Sequence, residues 1–156
     1  WTSGVTNHPL YAAHPNIFTL AANGRVVVDD YLQASKDVYV IGDNAETPFT
    51  GLAQTAIHDA LTVTRNLERM KGGKKPRKYQ ARLPVQAIPV GARWAVVEWR
   101  WVRIYGWSAA LLRRAADFVG YSEVLPFGTA IGAWRAATVY ENDYFTPTLR
   151  RIRKRK

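Results

Sequence analysis

The sequence contains no cysteine among its 156 residues, and this absence excludes several kinds of site. A disulfide framework, a thiolate metal site and a cysteine nucleophile all require the missing thiol. No apolar run is long enough to span a bilayer, and no signal peptide is recognisable. A Gly-x-Gly-x-x-Gly phosphate loop is also missing. His8 and His14 have no carboxylate at ligand spacing, so no metal site is predicted.

Charge is divided unevenly along the chain. Residues 1–62 carry two basic and six acidic residues, which gives this part a net charge of −4. Residues 63–156 carry twenty basic and six acidic residues, which gives a net charge of +14. The hydrophobic fraction of 47% allows a packed core and argues against wholesale disorder. A polyanionic partner is therefore predicted for the second part alone.

A strand followed by a glycine turn is predicted near the middle of the first part. The β-branched and aromatic run 38–41 is typical of a strand buried on both faces. Gly42 allows a sharp turn and a close approach of the backbone to a neighbouring group. Asp43 then follows at the carboxyl end of the strand, where α/β sheets bind their ligands. This pattern favours a ligand site at residues 42 and 43.

A helix is predicted over residues 51–70, with Thr50 as its N-cap. Its N-terminal N–H groups and the positive end of its dipole are expected to face the same crevice as Asp43. Apolar residues recur at three- and four-residue spacing and predict one buried face. The residues of this face are Leu52, Ala56, Ala60, Val63 and Leu67.

A hairpin is predicted before the central strand. Asn23-Gly24 lies between the β-rich runs 17–20 and 25–28, and Asn-Gly between two such runs strongly favours a β-hairpin turn.

These features together resemble a known family. Ile41-Gly42-Asp43-Asn44-Ala45 resembles the second flavin-binding motif of the FAD/NAD(P)-linked reductases with two dinucleotide-binding domains. Ala53-Gln54-Thr55-Ala56 more narrowly resembles a segment of the type II NADH:quinone oxidoreductases that lies beside the flavin and the quinone. The resemblance implies an α/β fold in which residues 1–73 are the C-terminal remnant of a Rossmann-like FAD-binding domain, made of a hairpin, a strand and a helix. It implies that FAD contacts Gly42, Asp43, Asn44, Ala45, Leu52, Ala53 and Gln54.

The resemblance also implies the reaction. NADH is the co-substrate, FAD carries the redox chemistry, and a quinone accepts the electrons, so no catalytic side chain is implied. Gln54 and, one turn later, His58 are the residues implied to contact the quinone. His58 departs from the family, in which a second glutamine is often found at this position. A different acceptor, a role in proton delivery and an ordinary surface histidine therefore stay open for His58.

The second part is predicted to be a separate subdomain. Residues 74–82 form a basic, proline-containing linker, and residues 83–149 form a small α+β subdomain. Strands are predicted at 85–90 and 94–104, and helices at 107–121 and 129–140. Residues 150–156 hold six cations and form a polybasic tail.

The tryptophan- and arginine-rich run 93–107 and the tail allow three interpretations. One is a core strand and helix with exposed arginines, another is a membrane-interface surface, and the third is a nucleic-acid site. Type II NADH dehydrogenases lie on the membrane surface through their C-terminal part. The resemblance therefore favours a peripheral position at the cytoplasmic face, on anionic lipid, over nucleic acid. A homodimer is left open.

We expect this chain to be the C-terminal portion of a larger flavoprotein, because it begins at Trp1 and lacks both phosphate loops. On its own it is expected to be inactive. Two alternatives stay open at this point. One is a related FAD-dependent reductase with a non-quinone acceptor, and the other is a non-catalytic basic module that binds nucleic acid or anionic membrane.

Overall fold

The computed structural model describes residues 6–145. The chain divides between Pro84 and Val85 into two compact units. Its fold is mixed α/β, and within the described residues it comprises a three-stranded antiparallel sheet, a two-stranded sheet and four α-helices. The predictions for residues 1–5 and for the tail 150–156 lie outside the described range.

The elements of the first unit are short, apart from one helix. Helix α1 spans Pro9–Ala13, β1 spans Gln33–Ser35, β2 spans Val38–Tyr39, a 3₁₀ turn spans Gly42–Asn44, and α2 spans Ala53–Lys71. Strands β1 and β2 pair in antiparallel fashion. Residues 74–82, predicted to be a linker, fall within this unit.

The predicted hairpin is confirmed as a local pairing. Leu20 and Val26 form an antiparallel bridge, and the Ala21 N–H donates to the Arg25 carbonyl at 2.7 Å. Val26 also bridges Ala45 in parallel, which joins the hairpin to the residues after the glycine turn. Val26, Val40 and Ala45 are buried together and form the apolar core of this region.

Two local predictions in the first unit are wrong. The central strand covers only Val38–Tyr39, and Ile41 is 37% exposed instead of buried. The N-cap of α2 is Leu52 and not Thr50. The Thr50 hydroxyl instead donates to the Gly42 carbonyl at 2.9 Å, so it stabilises the preceding turn.

The buried face of α2 differs from the predicted one. Leu52 and Leu67 are exposed, whereas Thr55, Asp59, Val63 and Asn66 are buried. Both sets of residues follow three- and four-residue spacing, so periodicity allows either face. The polar face is buried because its side chains hydrogen-bond to backbone groups from other segments.

The second unit is a three-stranded sheet on which α3 packs, and α4 packs on α3. Its elements are β3 (Gln86–Gly91), β4 (Trp94–Trp99), β5 (Val102–Gly106), α3 (Trp107–Val124) and α4 (Phe127–Phe145). The strands pair in the order β3-β4-β5, all antiparallel. Ala95, Val97, Ala109 and Ala110 form the core where α3 packs on β4. The single strand predicted at 94–104 is wrong, because a turn at Arg100 and Trp101 divides it.

Helices α3 and α4 are joined by an ion pair of low exposure. Arg113 donates to both carboxylate oxygens of Glu141 at 2.8 Å, and each side chain is only 18% exposed. Within residues 6–145, no helix is sufficiently long and apolar to cross a membrane.

Candidate functional site

The glycine turn at residue 42 is held against the start of α2. Gly42 is buried and has a φ of +66°, a conformation that disfavours any side chain. A β-carbon placed there lies 3.2 Å from the Ala56 β-carbon, so the turn or the helix would have to shift by a few tenths of an ångström to accept it. The Gly42 N–H donates to the Asp59 carboxylate at 3.0 Å. The positive φ favours glycine here, and the close contact with Ala56 adds to that preference.

The three residues after Gly42 have different environments. The Asp43 side chain is exposed, and within the described part of the chain its carboxylate forms neither a hydrogen bond nor an ion pair. The Asp43 carbonyl accepts from Arg25 Nε at 3.1 Å, which fixes the backbone of the turn. The Asn44 carbonyl accepts from the Val26 N–H at 2.8 Å, and Ala45 is fully buried. Asp43 is thus the residue of this turn with an available charged group.

The N-terminus of α2 presents backbone groups without a side-chain cap. Leu52, the N-cap residue, is extended and supplies no side-chain hydrogen bond to the helix. Leu52, Ala53 and Gln54 are all exposed. The Thr50 bond to the Gly42 carbonyl joins the loop before the helix to the glycine turn. The two groups of residues predicted to contact a cofactor therefore belong to one connected substructure.

His58 lies one turn beyond Gln54 but contacts a different segment. Its Nε2 lies 2.9 Å from the Gln80 carbonyl, and its ring lies 5.5 Å from the Tyr79 ring. A carbonyl oxygen only accepts, so Nε2 carries the proton and Nδ1 is the nitrogen that stays available. Residues 79 and 80 thus hold the imidazole on the side of α2 that faces residues 74–82.

A buried polar cluster was missed by the sequence analysis. It consists of Thr47, Asp59 and Tyr79, and Asp59 is completely buried. Asp59 Oδ2 accepts from Gly42, while Asp59 Oδ1, the Thr47 hydroxyl and the Tyr79 hydroxyl are buried without a fully formed hydrogen bond. No sequence pattern links these three residues, because only Asp59 lies in α2, and Thr47 and Tyr79 come from segments before and after that helix.

Burial raises the pKa of Tyr79 well above its usual range, and the neighbouring Asp59 carboxylate raises it further. The folded state therefore holds the phenolic proton more tightly than the unfolded state does. Stability from this group is complete below the unfolded pKa of about 10 and is lost as pH rises through the higher folded pKa.

We expect the Tyr79→Phe variant to differ from the wild type mainly at alkaline pH. At pH 7 the free energy of unfolding should change by less than about 1 kcal/mol, because the lost hydroxyl is buried without a full partner. Above about pH 10 the wild type should lose stability more steeply than the variant. Urea unfolding followed by circular dichroism from pH 7 to 11 measures both slopes. If the free energies of unfolding of the two proteins fell in parallel with pH, the Tyr79 hydroxyl would not be buried as described.

Within residues 6–145, no three histidine, aspartate or glutamate side chains are grouped so that they could hold a metal ion. Comparison of the sequence with models of known protein families finds no match. Comparison with curated proteins finds no significant similarity either.

Proposed function

We propose that this chain is part of an FAD-dependent NADH dehydrogenase that passes electrons to a quinone at the cytoplasmic face of a membrane. The observation that carries the proposal is the Gly42 turn, packed against the first turns of an α2 helix that has no side-chain cap. FAD supplies the redox chemistry when bound, and it requires a close backbone approach and polar groups for its ribityl and pyrophosphate region. In this proposal residues 1–73 are the C-terminal remnant of a Rossmann-like FAD-binding domain.

The residues present fit the proposed cofactor in three respects. A β-carbon at Gly42 would lie 3.2 Å from the Ala56 β-carbon, so the backbone of the turn lies close to the start of α2. Asp43 presents an exposed carboxylate beside this turn, and a carboxylate accepts hydrogen bonds from hydroxyl groups. The N–H groups at Leu52, Ala53 and Gln54 lie at the positive end of α2, which favours a ligand that carries negative charge.

The proposed acceptor site consists of Gln54 and His58, one turn apart on α2. Gln54 is exposed, and its amide is chemically suited to donate to a quinone carbonyl. The bond from His58 Nε2 to Gln80 leaves only Nδ1 for an acceptor or for proton delivery. Because only one ring nitrogen of His58 is available, a second version of the proposal has a small electron acceptor other than a quinone at this site.

Exposed aromatic side chains in the second unit support the membrane part of the proposal. Trp101, at the turn between β4 and β5, is 88% exposed, and Trp99 and Trp107 are also exposed. The Arg100 guanidinium lies 5.6 Å from the centre of the Trp99 ring. Exposed tryptophans beside arginines suit the headgroup region of an anionic bilayer. The same surface favours a second candidate function, a non-catalytic module that binds anionic membrane.

An absorbance spectrum of the full-length protein that contains this chain tests the proposal. We expect an oxidised flavin band that bleaches when NADH is added. Asp43→Ala should weaken FAD binding about 10-fold or more, because a hydrogen bond to a charged group contributes about 1.5–3 kcal/mol. Glu68→Gln, which neutralises an exposed carboxylate elsewhere on α2, is the matched control and should bind FAD normally. A colourless protein that cannot be reconstituted with FAD would exclude the dehydrogenase and favour the membrane-binding module.

A further inference from the structure

A basic cleft lies in the first unit between the C-terminal half of α2 and residues 74–82. Its volume is about 820 Å³, and half of its twelve lining residues are lysine or arginine. These cations are Arg65, Arg69, Lys74, Arg77, Lys78 and Arg82. Within residues 6–145, Glu68 is the only carboxylate in the wall, so the described lining has a formal net charge of +5 when His58 is neutral.

The cations of this cleft are concentrated and incompletely paired. Eight of the ten basic residues in residues 1–84 fall within 65–82. Lys78 pairs with Asp30 at 2.5 Å, and Arg69 donates to the Lys75 carbonyl. Within the described range 6–145, the other four cations of the wall form no ion pair with a carboxylate. Like charges held together in this way repel one another, so an anion in the cleft would lower the free energy of the fold.

The cleft is preorganised by hydrogen bonds and is not merely a sequence of surface cations. Asn66 is 3% exposed, and its side-chain amide donates to the Arg77 carbonyl and accepts from the Arg77 N–H, both at 2.8 Å. His58 holds the Gln80 carbonyl, and the Tyr79 N–H donates to the Asp30 carbonyl. Residues 74–82 are therefore fixed at several points along their length. Cations carried on a fixed backbone lose less conformational entropy on binding than cations on a mobile linker, because the backbone is already ordered.

The lining of the cleft restricts the chemistry of its ligand. Among the described residues, the wall has no apolar side chain and its only ring is the His58 imidazole, so it offers little for a hydrophobic molecule or a stacked base. Guanidinium groups match phosphate oxygens in bidentate pairs, and four of the six cations are arginines. The volume is within the usual range for a small-molecule site, about 300–1,000 Å³.

We propose that this cleft binds a small hydrophilic ligand that carries two or more phosphate groups. The ligand is either a free polyphosphate or the multiply phosphorylated headgroup of a lipid, which share this chemistry. The cations of the cleft lie beyond the residues proposed to contact FAD, and His58 is the one residue that the cleft shares with the proposed acceptor site. The test of the cleft does not depend on whether the protein contains FAD.

Calorimetric titration of the intact chain with inorganic tripolyphosphate is the first experiment. We expect saturable binding of one tripolyphosphate per cleft, weakened by added salt. The double variant Arg65→Gln/Arg77→Gln should bind about 10-fold more weakly or worse. Neither of these side chains forms an ion pair in the described part of the chain, and Asn66 contacts only the Arg77 backbone, so the variant should fold. Unchanged circular dichroism verifies this.

The polybasic tail is the competing explanation for any phosphate binding. Arg151→Gln/Arg153→Gln removes the same charge from the tail and is the matched control. We expect this control to change the affinity less than about twofold. The proposal would be overturned if the cleft and tail variants lost the same affinity for tripolyphosphate. It would also be overturned if only the tail variant lost affinity.

Vesicles distinguish the two sources of the ligand. Phosphatidylcholine vesicles that contain phosphatidylinositol bisphosphate are compared with vesicles of equal charge made with phosphatidylserine. Preferential binding to the bisphosphate vesicles that requires Arg65 and Arg77 identifies a lipid headgroup. Tripolyphosphate binding without this preference identifies a free polyphosphate. A chain that binds single-stranded RNA through these arginines but does not bind tripolyphosphate would overturn the proposal.

Discussion

Asp59→Ala is expected to lower the free energy of unfolding of the first unit by about 3 kcal/mol. The Asp59 side chain is completely buried, and Oδ2 accepts from the Gly42 N–H at 3.0 Å. Alanine removes this acceptor and leaves the Gly42 N–H buried without a partner. The hydrogen bond to a charged group contributes about 1.5–3 kcal/mol, and an unsatisfied buried donor costs about 1–3 kcal/mol more.

One contribution opposes this loss. Asp59 Oδ1 is buried without a partner, and alanine relieves the cost of that burial. Asp59→Asn separates the two effects, because its carbonyl oxygen still accepts from Gly42 while its neutral amide has a donor for the Thr47 and Tyr79 hydroxyls. We therefore expect Asp59→Asn to stay within about 1 kcal/mol of the wild type.

Amide hydrogen exchange along α2 measures these differences in the first unit alone. This choice matters because five of the six tryptophans lie in the second unit, so their fluorescence would not report on α2. Thr64→Ser, on the exposed side of the same helix, is the control and should change stability by less than about 0.5 kcal/mol. Equal losses for Asp59→Ala and Asp59→Asn would assign the effect to the charge and contradict the hydrogen-bond explanation.

Features that depend on neighbouring residues were predictable from the sequence. Asn23-Gly24 favours a tight turn through its backbone preferences, and the pairing of Leu20 with Val26 follows. The helix predicted at 51–70 is observed at Ala53–Lys71, and the one predicted at 107–121 is observed at Trp107–Val124. In each case the residues that determine the element lie within it or immediately beside it.

The buried face of α2 was not predictable in the same way. Its polar residues are buried because of partners distant in sequence, since Asp59 bonds to Gly42 and Asn66 bonds to Arg77. Hydrophobic periodicity ranks such residues as surface residues, because a polar side chain is costly to bury unless it finds a partner. The partners become apparent only when the turn and the returning segment are in position.

The basic segment 74–82 illustrates the same limit for the candidate sites. Its lysines, arginines and proline are typical of a solvated linker, and this composition predicts one. The Asn66 side-chain amide instead forms hydrogen bonds with both the carbonyl and the N–H of Arg77. Because these bonds are made to backbone groups, they do not depend on the side chains of the segment 74–82 and cannot be recognised from its composition. The cleft was consequently missed, although all six of its cations are visible in the sequence.

Gly42→Ala is the second substitution with a large expected effect, a loss of about 2–3 kcal/mol in the first unit. A residue with a β-carbon at a φ of +66° costs about 1–2 kcal/mol relative to glycine. The added β-carbon also lies 3.2 Å from the Ala56 β-carbon, so the helix or the turn must shift. Overpacking of this kind costs about 1 kcal/mol or more.

Gly24→Ala is the matched control, because it shares the backbone requirement and lacks the contact. Gly24 has a φ of +81°, and a β-carbon there meets no atom within 4 Å. Its loss should be about 1 kcal/mol, from backbone strain alone. The difference between the two variants, measured by hydrogen exchange of α2 amides, therefore reports the contact with Ala56. Equal losses would show that the turn does not press on the helix.

A double-mutant cycle measures the contact between residues 42 and 56 without relying on the Gly24→Ala control. Ala56→Gly removes the opposing methyl group but costs about 1 kcal/mol on its own, because glycine is unfavourable within a helix. If the two β-carbons conflict, Gly42→Ala should cost less in the Ala56→Gly background than in the wild type, and the coupling energy should exceed about 0.5 kcal/mol. The strain from the positive φ is the same in both backgrounds, so it cancels in the coupling energy. A coupling energy near zero would leave conformation as the whole reason for glycine at this turn.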